Sequence, residues 1–316
     1  MKGVRGGVLG VLALAAGAAG AMCPSNRPAG LNQVVLEVGG VERTFFVFIP
    51  DAMTEEPAPA IVSFHGCGSS PMKFEFESSM NVRANENKWF NVYMEGTDAR
   101  DGTRLGWNAG YSTCNTEGQV NDVEFTIAVH TWMLENLCID REAIFASGFS
   151  NGGSMIFNIT CEIPTYFAGF SFTGSTWPAA QYPDADTCNG GVRLEEMKPV
   201  FGVCGSTDGC STGMAPWFDR YSGLFGCKDE VAEFDLTPTT KCRRHRQCGV
   251  AEVSSIEYCL IDNLGHCWAG GDCCDTKCRE QSKLNPDASQ AVIDFFKRVN
   301  DDRQAWVKAN GTATLV

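Results

Sequence analysis

The pattern G-F-S-N-G at residues 148–152 constrains the fold of this chain more than any other feature. An apolar segment with the length of a buried strand precedes it at 143–147, and a segment with helical spacing follows at 154–161. Glycines on both sides of a serine at such a junction are typical of a sharp strand–turn–helix, where larger side chains would collide. The pattern therefore predicts that Ser150 is presented to solvent above the carboxyl end of a strand.

Short apolar segments alternate with helical ones along the rest of the chain. An antiparallel opening hairpin is predicted for 34–38 and 44–49, joined by a Gly39-Gly40 turn. Further strands are predicted at 60–64, 91–95, 143–147, 170–173, 200–203 and 256–260, and helices at 121–137, 154–161 and 287–298. This alternation is typical of the α/β class, with a mostly parallel central sheet and helices on both faces.

The domain organisation that follows is simple. We expect one domain over residues 22–316. Residues 176–198 and 204–248 are rich in Gly, Pro, Cys and polar residues, so they are predicted to be loops or lid-like insertions over the carboxyl ends of the strands.

Composition and charge exclude several classes of protein. Apolar residues make up 44% of the chain and charged residues 20%, which suits a large core and argues against disorder. The net charge of −13 offers no electrostatic match to a phosphate backbone or an anionic membrane, so nucleic acid is excluded as a partner. After residue 21 no apolar run reaches the roughly 18 residues that a membrane span needs.

The first 21 residues have the pattern of a signal peptide. Lys2 and Arg5 supply positive charge, residues 8–16 are apolar, and A-G-A at 19–21 suits cleavage. Lipid attachment at Cys23 is the alternative, but Met22 stands where a small residue is expected. We therefore predict a secreted, extracellular protein that begins at Met22.

All 16 cysteines follow this leader, and an even number in a secreted chain predicts disulfides. Seven of them lie between residues 242 and 278, where we expect disulfide-rich loops with little apolar core of their own. A zinc site is the alternative, but irregular spacing and an oxidising compartment disfavour it. Its ligands would be His266, Cys267, Cys273, Cys274 and Cys278.

One histidine fits the role of a base that activates Ser150. His266 follows the last predicted strand and precedes the last helix, where a loop can bring an imidazole to a serine. The remaining histidines lie before the serine or in a basic run that we expect on a solvated surface: His65, His130 and His245. His65 is expected to brace the glycine-rich loop that follows it.

An acid must orient the imidazole, and two aspartates compete for this role. Asp208 lies just beyond the strand at 200–203, in the chain order serine, acid, histidine. Asp262 lies on the same loop as His266 and before it. We favour Asp208.

Backbone donors are needed for the negative charge that develops on a substrate carbonyl. The N–H of Asn151, directly after the serine, is one candidate. The second is expected from the loop after the strand at 60–64, from Gly66 or Cys67, and we favour Cys67.

With these residues in place, the chain resembles secreted esterases of the feruloyl esterase and polyhydroxybutyrate depolymerase group. The resemblance spans about 34–299 and rests on H-G-C-G at 65–68, G-W-N-A-G at 106–110, S-G-F-S-N-G-G at 147–153, G-S-T-D at 205–208 and G-H-C-W-A-G-G at 265–271. It implies the α/β-hydrolase fold, a catalytic triad of Ser150, Asp208 and His266, and oxyanion donors at Cys67 and Asn151. It implies no metal and no organic cofactor.

Two further expectations come only from this resemblance. Cys67 and Cys114 are expected to form a disulfide that ties the two glycine-rich loops together. Trp107 and Trp268 would suit contact with an aromatic acyl group, although tryptophans in such loops are as often packing residues.

The resemblance predicts a monomeric serine esterase that acts on feruloyl or related esters of plant cell-wall polysaccharides. A polyhydroxybutyrate-type depolymerase and an acetylxylan esterase are alternatives within this chemistry. A serine peptidase and a non-catalytic binding protein on the same fold are alternatives of other classes.

Overall fold

The structure is a computed structural model, and it describes residues 27–53, 55–98, 105–109, 114, 120–176, 196–249, 254–272 and 286–310. The predicted signal peptide and Cys23 lie outside these ranges, as do Cys273, Cys274, Cys278 and most of the predicted loop 176–198.

Most strands in these ranges belong to one sheet. They are β1 Gly30–Val38, β2 Val41–Ile49, β3 Ala58–Phe64, β4 Phe90–Met94, β5 Thr97–Asp98, β6 Leu105–Gly106, β7 Ile139–Phe149, β8 Gly169–Thr173, β9 Val200–Gly205, β10 Ala232–Thr237, β11 Thr240–Cys248 and β12 Ser254–Ile261. Ten of them are ordered β1-β2-β4-β3-β7-β8-β9-β12-β11-β10, and β5 and β6 form a separate ladder. The run from β4 to β12 is parallel, and both edges are antiparallel.

Helices cover both faces of this sheet. They are α1 Pro71–Ser78, α2 Met80–Asn87, α3 Asp122–Asn136, α4 Asn151–Glu162, α5 Ser211–Leu224 and α6 Ala288–Asn310. Side chains of α3, α4 and α5 contribute to one core, and those of α1, α2 and α6 to the other. The predicted α/β architecture is confirmed. Among the helices in the described ranges, none combines the length and the apolar character needed to cross a membrane.

The central strand β7 explains why the sequence of these strands is apolar without alternation. Ile144 and Ala146 belong to one core, whereas Phe145 belongs to the other and stacks on Phe296 with ring centroids 4.4 Å apart. Both faces of the strand are buried over residues 143–148, so these positions prefer apolar or small side chains. This strand ends next to Ser150.

The predicted opening hairpin is also confirmed. Val38 pairs with Val41 across a two-residue turn. Gly39 and Gly40 have φ values of 58° and 80°, which the favoured two-residue hairpin turn requires at both positions.

The expectation of loops over 204–248 is wrong for most of that segment. It contains α5 and the antiparallel β10–β11 pair, which extends the sheet beyond β12. Gly213 and Pro216 within α5 disguised a helix whose buried side chains have helical spacing: Met214, Trp217, Phe218 and Tyr221. Within the cysteine-rich stretch 242–278, residues 242–248 and 254–261 are strands rather than loops.

The sequence analysis also missed α1 and α2, which follow β3. Ser70 caps α1 by accepting a hydrogen bond from the Lys73 N–H, and Pro71 occupies its first turn. These are ordinary helix-start signals.

Disulfides tie the loops and the sheet edge together. Bridges between described residues include Cys67–Cys114, Cys204–Cys210, Cys227–Cys248 and Cys242–Cys259. The first is the bridge that the resemblance predicted. Every cysteine in the described part of the chain is disulfide-bonded, which fits the prediction of an oxidising compartment.

Candidate active site

Ser150 occupies the turn between β7 and α4. Its φ of 55° and ψ of −117° lie outside the regions that a non-glycine residue favours. Its N–H donates to the Thr173 carbonyl oxygen of the neighbouring strand at 2.9 Å. A Cβ on Gly148 would collide with the Gly152 carbonyl oxygen, and a Cβ on Gly152 with the Phe64 carbonyl oxygen. Both glycines are therefore needed for the turn that the pattern predicted.

His266 lies in the loop after β12 and reaches the serine. Its Nε2 is 2.8 Å from the Ser150 Oγ. The imidazole packs on the Phe149 ring with centroids 5.1 Å apart, and half of the His266 side chain is exposed. An imidazole in this position can accept the hydroxyl proton and remains accessible from solvent.

Asp208 lies in the turn after β9, on the other side of the imidazole. Its Oδ2 is 2.8 Å from the His266 Nδ1, and its side chain is nearly buried. A carboxylate at Nδ1 favours the tautomer with the proton on that atom, which leaves Nε2 as the acceptor for Ser150. Asp262 is exposed, and its backbone N–H donates to the Thr239 carbonyl oxygen. The structure thus brings Asp208 to His266.

Two backbone segments lie beside Ser150. In the loop after β3, a Cβ on Gly66 would lie 3.3 Å from the Ser150 Cβ. Cys67 is the next residue of this loop and is bridged to Cys114. Asn151 is the first residue of α4, and N–H groups of a first helical turn point out of the helix end. Both predicted donors therefore belong to segments beside the serine.

Solved structures share this arrangement of sheet and helices. An acetyl xylan esterase from Aspergillus awamori superposes with a TM-score of 0.56 at 12% identity, covering 85% of this chain and 100% of that one. A ferulic acid esterase superposes with a TM-score of 0.53 at 13% identity, covering 87% and 99%. The chain has the α/β-hydrolase fold.

Sequence comparison places this hydrolase-fold chain near feruloyl esterases. Feruloyl esterase B of Piromyces equi is 24% identical over 254 residues, which cover 73% of this chain and 43% of that protein. The aligned residues span less than half the length of the curated relatives that this chain matches. No protein-family model matches the sequence. The resemblance to feruloyl esterases is confirmed.

Trp107 and Trp268 are not at the surface of the site. Their exposed fractions are 0% and 2%. The Trp268 Nε1–H donates to the Ser289 Oγ at 2.9 Å, and its ring packs edge-on against Phe74. Neither ring is accessible to a substrate in this conformation, so the structure gives no support to the expectation that these two residues contact the acyl group. The packing alternative is the one that the structure supports.

The other three histidines contact residues other than Ser150. His65 is fully buried, with Nδ1 2.8 Å from the Gly66 carbonyl oxygen and Nε2 accepting from the Gly96 N–H at 3.0 Å. Burial lowers the pKa of His65 to about 4, so the ring is neutral. His130 packs on Tyr166. His245 is partly buried and stacks on Phe218, so the expectation of a solvated surface is wrong for this residue.

The side chain of Asn151 has a role that the sequence analysis missed. Its Oδ1 accepts a hydrogen bond from the Trp107 N–H at 2.8 Å. No local pattern signals this contact, because the two residues are 44 positions apart.

Among the described residues, one group of potential metal ligands lies in and beside the turn that carries Asp208. A sulfur or carboxylate oxygen from each of Cys204, Asp208 and Cys210 lies within 4.8 Å of the others. The two sulfurs are joined in a disulfide, and a metal requires thiolates. Asp208 in addition contacts His266. This group therefore does not suit a metal ion.

Proposed function

We propose that this hydrolase is a secreted serine esterase that cleaves feruloyl esters of plant cell-wall polysaccharides. One observation carries the proposal: the Ser150 Oγ, the two ring nitrogens of His266 and the Asp208 carboxylate form one hydrogen-bonded chain with separations of 2.8 Å and 2.8 Å. A serine, a base and an orienting acid in this order can perform acyl transfer through a covalent intermediate.

In the first half-reaction the Ser150 Oγ attacks the ester carbonyl carbon while the His266 Nε2 takes the hydroxyl proton. The carbonyl oxygen becomes an oxyanion, which the backbone N–H groups of Cys67 and Asn151 stabilise. Asp208 stabilises the imidazolium. As the intermediate collapses, His266 donates its proton to the leaving alcohol oxygen, and the acyl group remains on Ser150.

The second half-reaction uses water in the place of the alcohol. His266 takes a proton from water as the water oxygen attacks the acyl carbon. Collapse of the second tetrahedral intermediate releases the carboxylic acid, and the proton returns to the Ser150 Oγ. Half of the His266 side chain is exposed, so its Nε2 can exchange the leaving alcohol for water from solvent.

The choice of substrate and compartment has separate support. The sequence relative from Piromyces equi is named a feruloyl esterase, and structural neighbours are named acetyl xylan esterase and ferulic acid esterase. The signal-peptide pattern of residues 1–21 and the disulfide-bonded state of every described cysteine support secretion.

The test is hydrolysis of a substrate panel by the wild type, Ser150→Ala and Ser222→Ala. Methyl ferulate, acetylated xylan, hydroxybutyrate oligomers and a peptide amide cover the competing substrates. Ser222 is a buried serine in α5 whose hydroxyl bonds the Asp219 carbonyl oxygen, which makes it a matched control. Methyl ferulate should have the highest kcat/KM, and Ser150→Ala alone should lower it by at least about a thousandfold.

The outcomes separate the parts of the proposal. Preference for acetylated xylan or hydroxybutyrate oligomers would contradict the proposed feruloyl group and leave the serine esterase mechanism in place. Hydrolysis of the peptide amide alone would make the chain a peptidase. Turnover by Ser150→Ala at the wild-type rate would overturn the esterase mechanism altogether.

A further inference from the structure

Trp107 connects the two backbone segments that we assign to the oxyanion hole. Its indole Nε1–H donates to the His65 carbonyl oxygen at 2.8 Å, at the start of the loop that carries Cys67. Its backbone N–H donates to the Asn151 Oδ1 at 2.8 Å, at the start of α4. We propose that Trp107 is a positioning residue that sets the separation of the Cys67 and Asn151 N–H groups, an inference that rests on the proposed function.

The bond to His65 holds the Cys67 loop at its base. The His65 ring holds the next peptide group, because its Nδ1 lies 2.8 Å from the Gly66 carbonyl oxygen. The rings of Trp107 and His65 also pack together with centroids 4.9 Å apart. The His65–Gly66 peptide group therefore cannot shift without breaking the hydrogen bond from Trp107, and the Gly66–Cys67 peptide group cannot shift without breaking the contact with the His65 ring on which Trp107 packs.

The bond to Asn151 holds the second segment that we assign to the oxyanion hole. Asn151 is 3% exposed and Trp107 is fully buried, so water cannot replace their hydrogen bond without rearrangement. A buried N–H that loses its acceptor is unfavourable, which favours retention of this bond. The start of α4, and with it the Asn151 N–H, is thus tied to the same residue as the Cys67 loop.

The segment 105–109 that carries Trp107 is itself fixed to the body of the protein. The Asn108 N–H donates to the Asp122 Oδ2 at 2.7 Å. Asp122 also forms a buried ion pair with Arg43 at 2.6 Å, with 3% of the Arg43 side chain and none of the Asp122 side chain exposed. Because the neighbouring residue Asn108 is bonded to this buried ion pair, Trp107 has a fixed support from which to hold the two segments that it contacts.

This arrangement predicts an effect on the chemical step rather than on substrate binding. Oxyanion donors act on charge that develops only in the transition state. A displaced donor should therefore lower kcat and leave KM unchanged. A tryptophan that contacted the acyl group would instead change KM.

The test compares Trp107→Phe with Trp217→Phe. Trp217 is also fully buried, and its Nε1 has no hydrogen-bond partner among the described residues. The two substitutions therefore remove similar volume, and only the first removes an indole hydrogen bond.

We expect Trp107→Phe to lower kcat for methyl ferulate by about 10- to 100-fold, with KM within about twofold of the wild type. Its affinity for an aryl boronic acid that mimics the tetrahedral intermediate should fall by a similar factor. Trp217→Phe should change neither by more than about twofold.

Each outcome decides the inference. Equal effects of the two substitutions, an unchanged boronic acid affinity, or a change confined to KM would overturn it. If Trp107→Phe does not fold, Asn151→Ala removes the acceptor of the Trp107 N–H while keeping the Asn151 N–H, and the same loss of kcat at constant KM is required. Absence of ester hydrolysis by the wild type would instead overturn the proposed function.

Discussion

Thr207 joins the loop that carries Asp208 to the loop that carries His266. Its Oγ1 donates to the Leu264 carbonyl oxygen at 2.8 Å, and its backbone N–H donates to the same oxygen at 3.1 Å. Thr207 directly precedes Asp208, and Leu264 lies two positions before His266. The contact between Asp208 and His266 is therefore supported by a direct contact between their loops.

Removal of the Thr207 hydroxyl should loosen this support. We expect Thr207→Val to lower the free energy of unfolding by about 1 kcal/mol and kcat by about fivefold. Thr237→Val is the control, because the Thr237 Oγ1 bonds the Thr240 Oγ1 at 3.0 Å in the β10–β11 pair. Chemical denaturation and ester kinetics should give similar losses of stability for both variants and a loss of kcat only for Thr207→Val. Equal kcat values would contradict the account.

The same two loops meet at Gly205. A Cβ on Gly205 would collide with the Leu264 carbonyl oxygen, whereas a Cβ on Gly209 would meet nothing within 4 Å. Gly205→Ala should therefore destabilise the protein by about 2–4 kcal/mol, because the His266 loop must move away, and Gly209→Ala should be neutral. Thermal unfolding of the two variants checks this ranking. A neutral Gly205→Ala would show that the loops are not in close contact.

Asp208→Asn should lower kcat far more than Asp262→Asn. The first substitution removes the charge that stabilises the His266 imidazolium and permits the wrong tautomer. Together these effects are expected to lower kcat by about four orders of magnitude. Asp262 is exposed, and its substitution should change kcat by less than about twofold. Paired kinetics at one pH are sufficient. The reverse ranking would transfer the acid role to Asp262.

His65 should make the stability of the fold depend on pH. Burial lowers its pKa from an ordinary value of 6.5 to about 4. The unfolded chain therefore binds a proton below pH 6.5 that the folded chain does not bind until about pH 4. The contribution of neutral, buried His65 to the free energy of unfolding is therefore fully present above pH 6.5 and is lost as the pH falls towards 4.

The measurement is urea denaturation of the wild type and His65→Gln at pH 7.5 and 4.5. Between these pH values the wild type should lose on the order of 2–3 kcal/mol more than the variant. Other groups that titrate in this range, such as His130, are common to both proteins and cancel in the comparison. An equal loss in both would show that His65 is not a buried neutral histidine.

The sheet and the serine site were predictable because their signals are local. A buried strand is apolar along its whole length, and the turn at Ser150 needs glycines at fixed positions. The parallel strands then bring the residues that follow them to one end of the sheet. For this reason Asp208 and His266 could be predicted as partners of Ser150 from the sequence alone.

The roles of Trp107 and Trp268 could not be predicted in the same way. An indole near a glycine-rich loop can face the substrate or the core, and only the packing of distant segments decides this. Trp107 is buried because His65 and Asn151, far away in sequence, supply acceptors for both of its N–H groups. The helix α5 was missed for a local reason, since Gly213 and Pro216 have poor helix propensity.

The most direct test of the central claim is covalent labelling of the wild type with an alkyl fluorophosphonate. The Ser150 Oγ should displace fluoride from phosphorus, and ester hydrolysis should fall in proportion to the label bound. Mass spectrometry of the proteolytic peptides should find one equivalent of adduct on Ser150. Complete inactivation with the adduct on another residue, or full labelling of Ser150 with undiminished ester hydrolysis, would contradict the assignment.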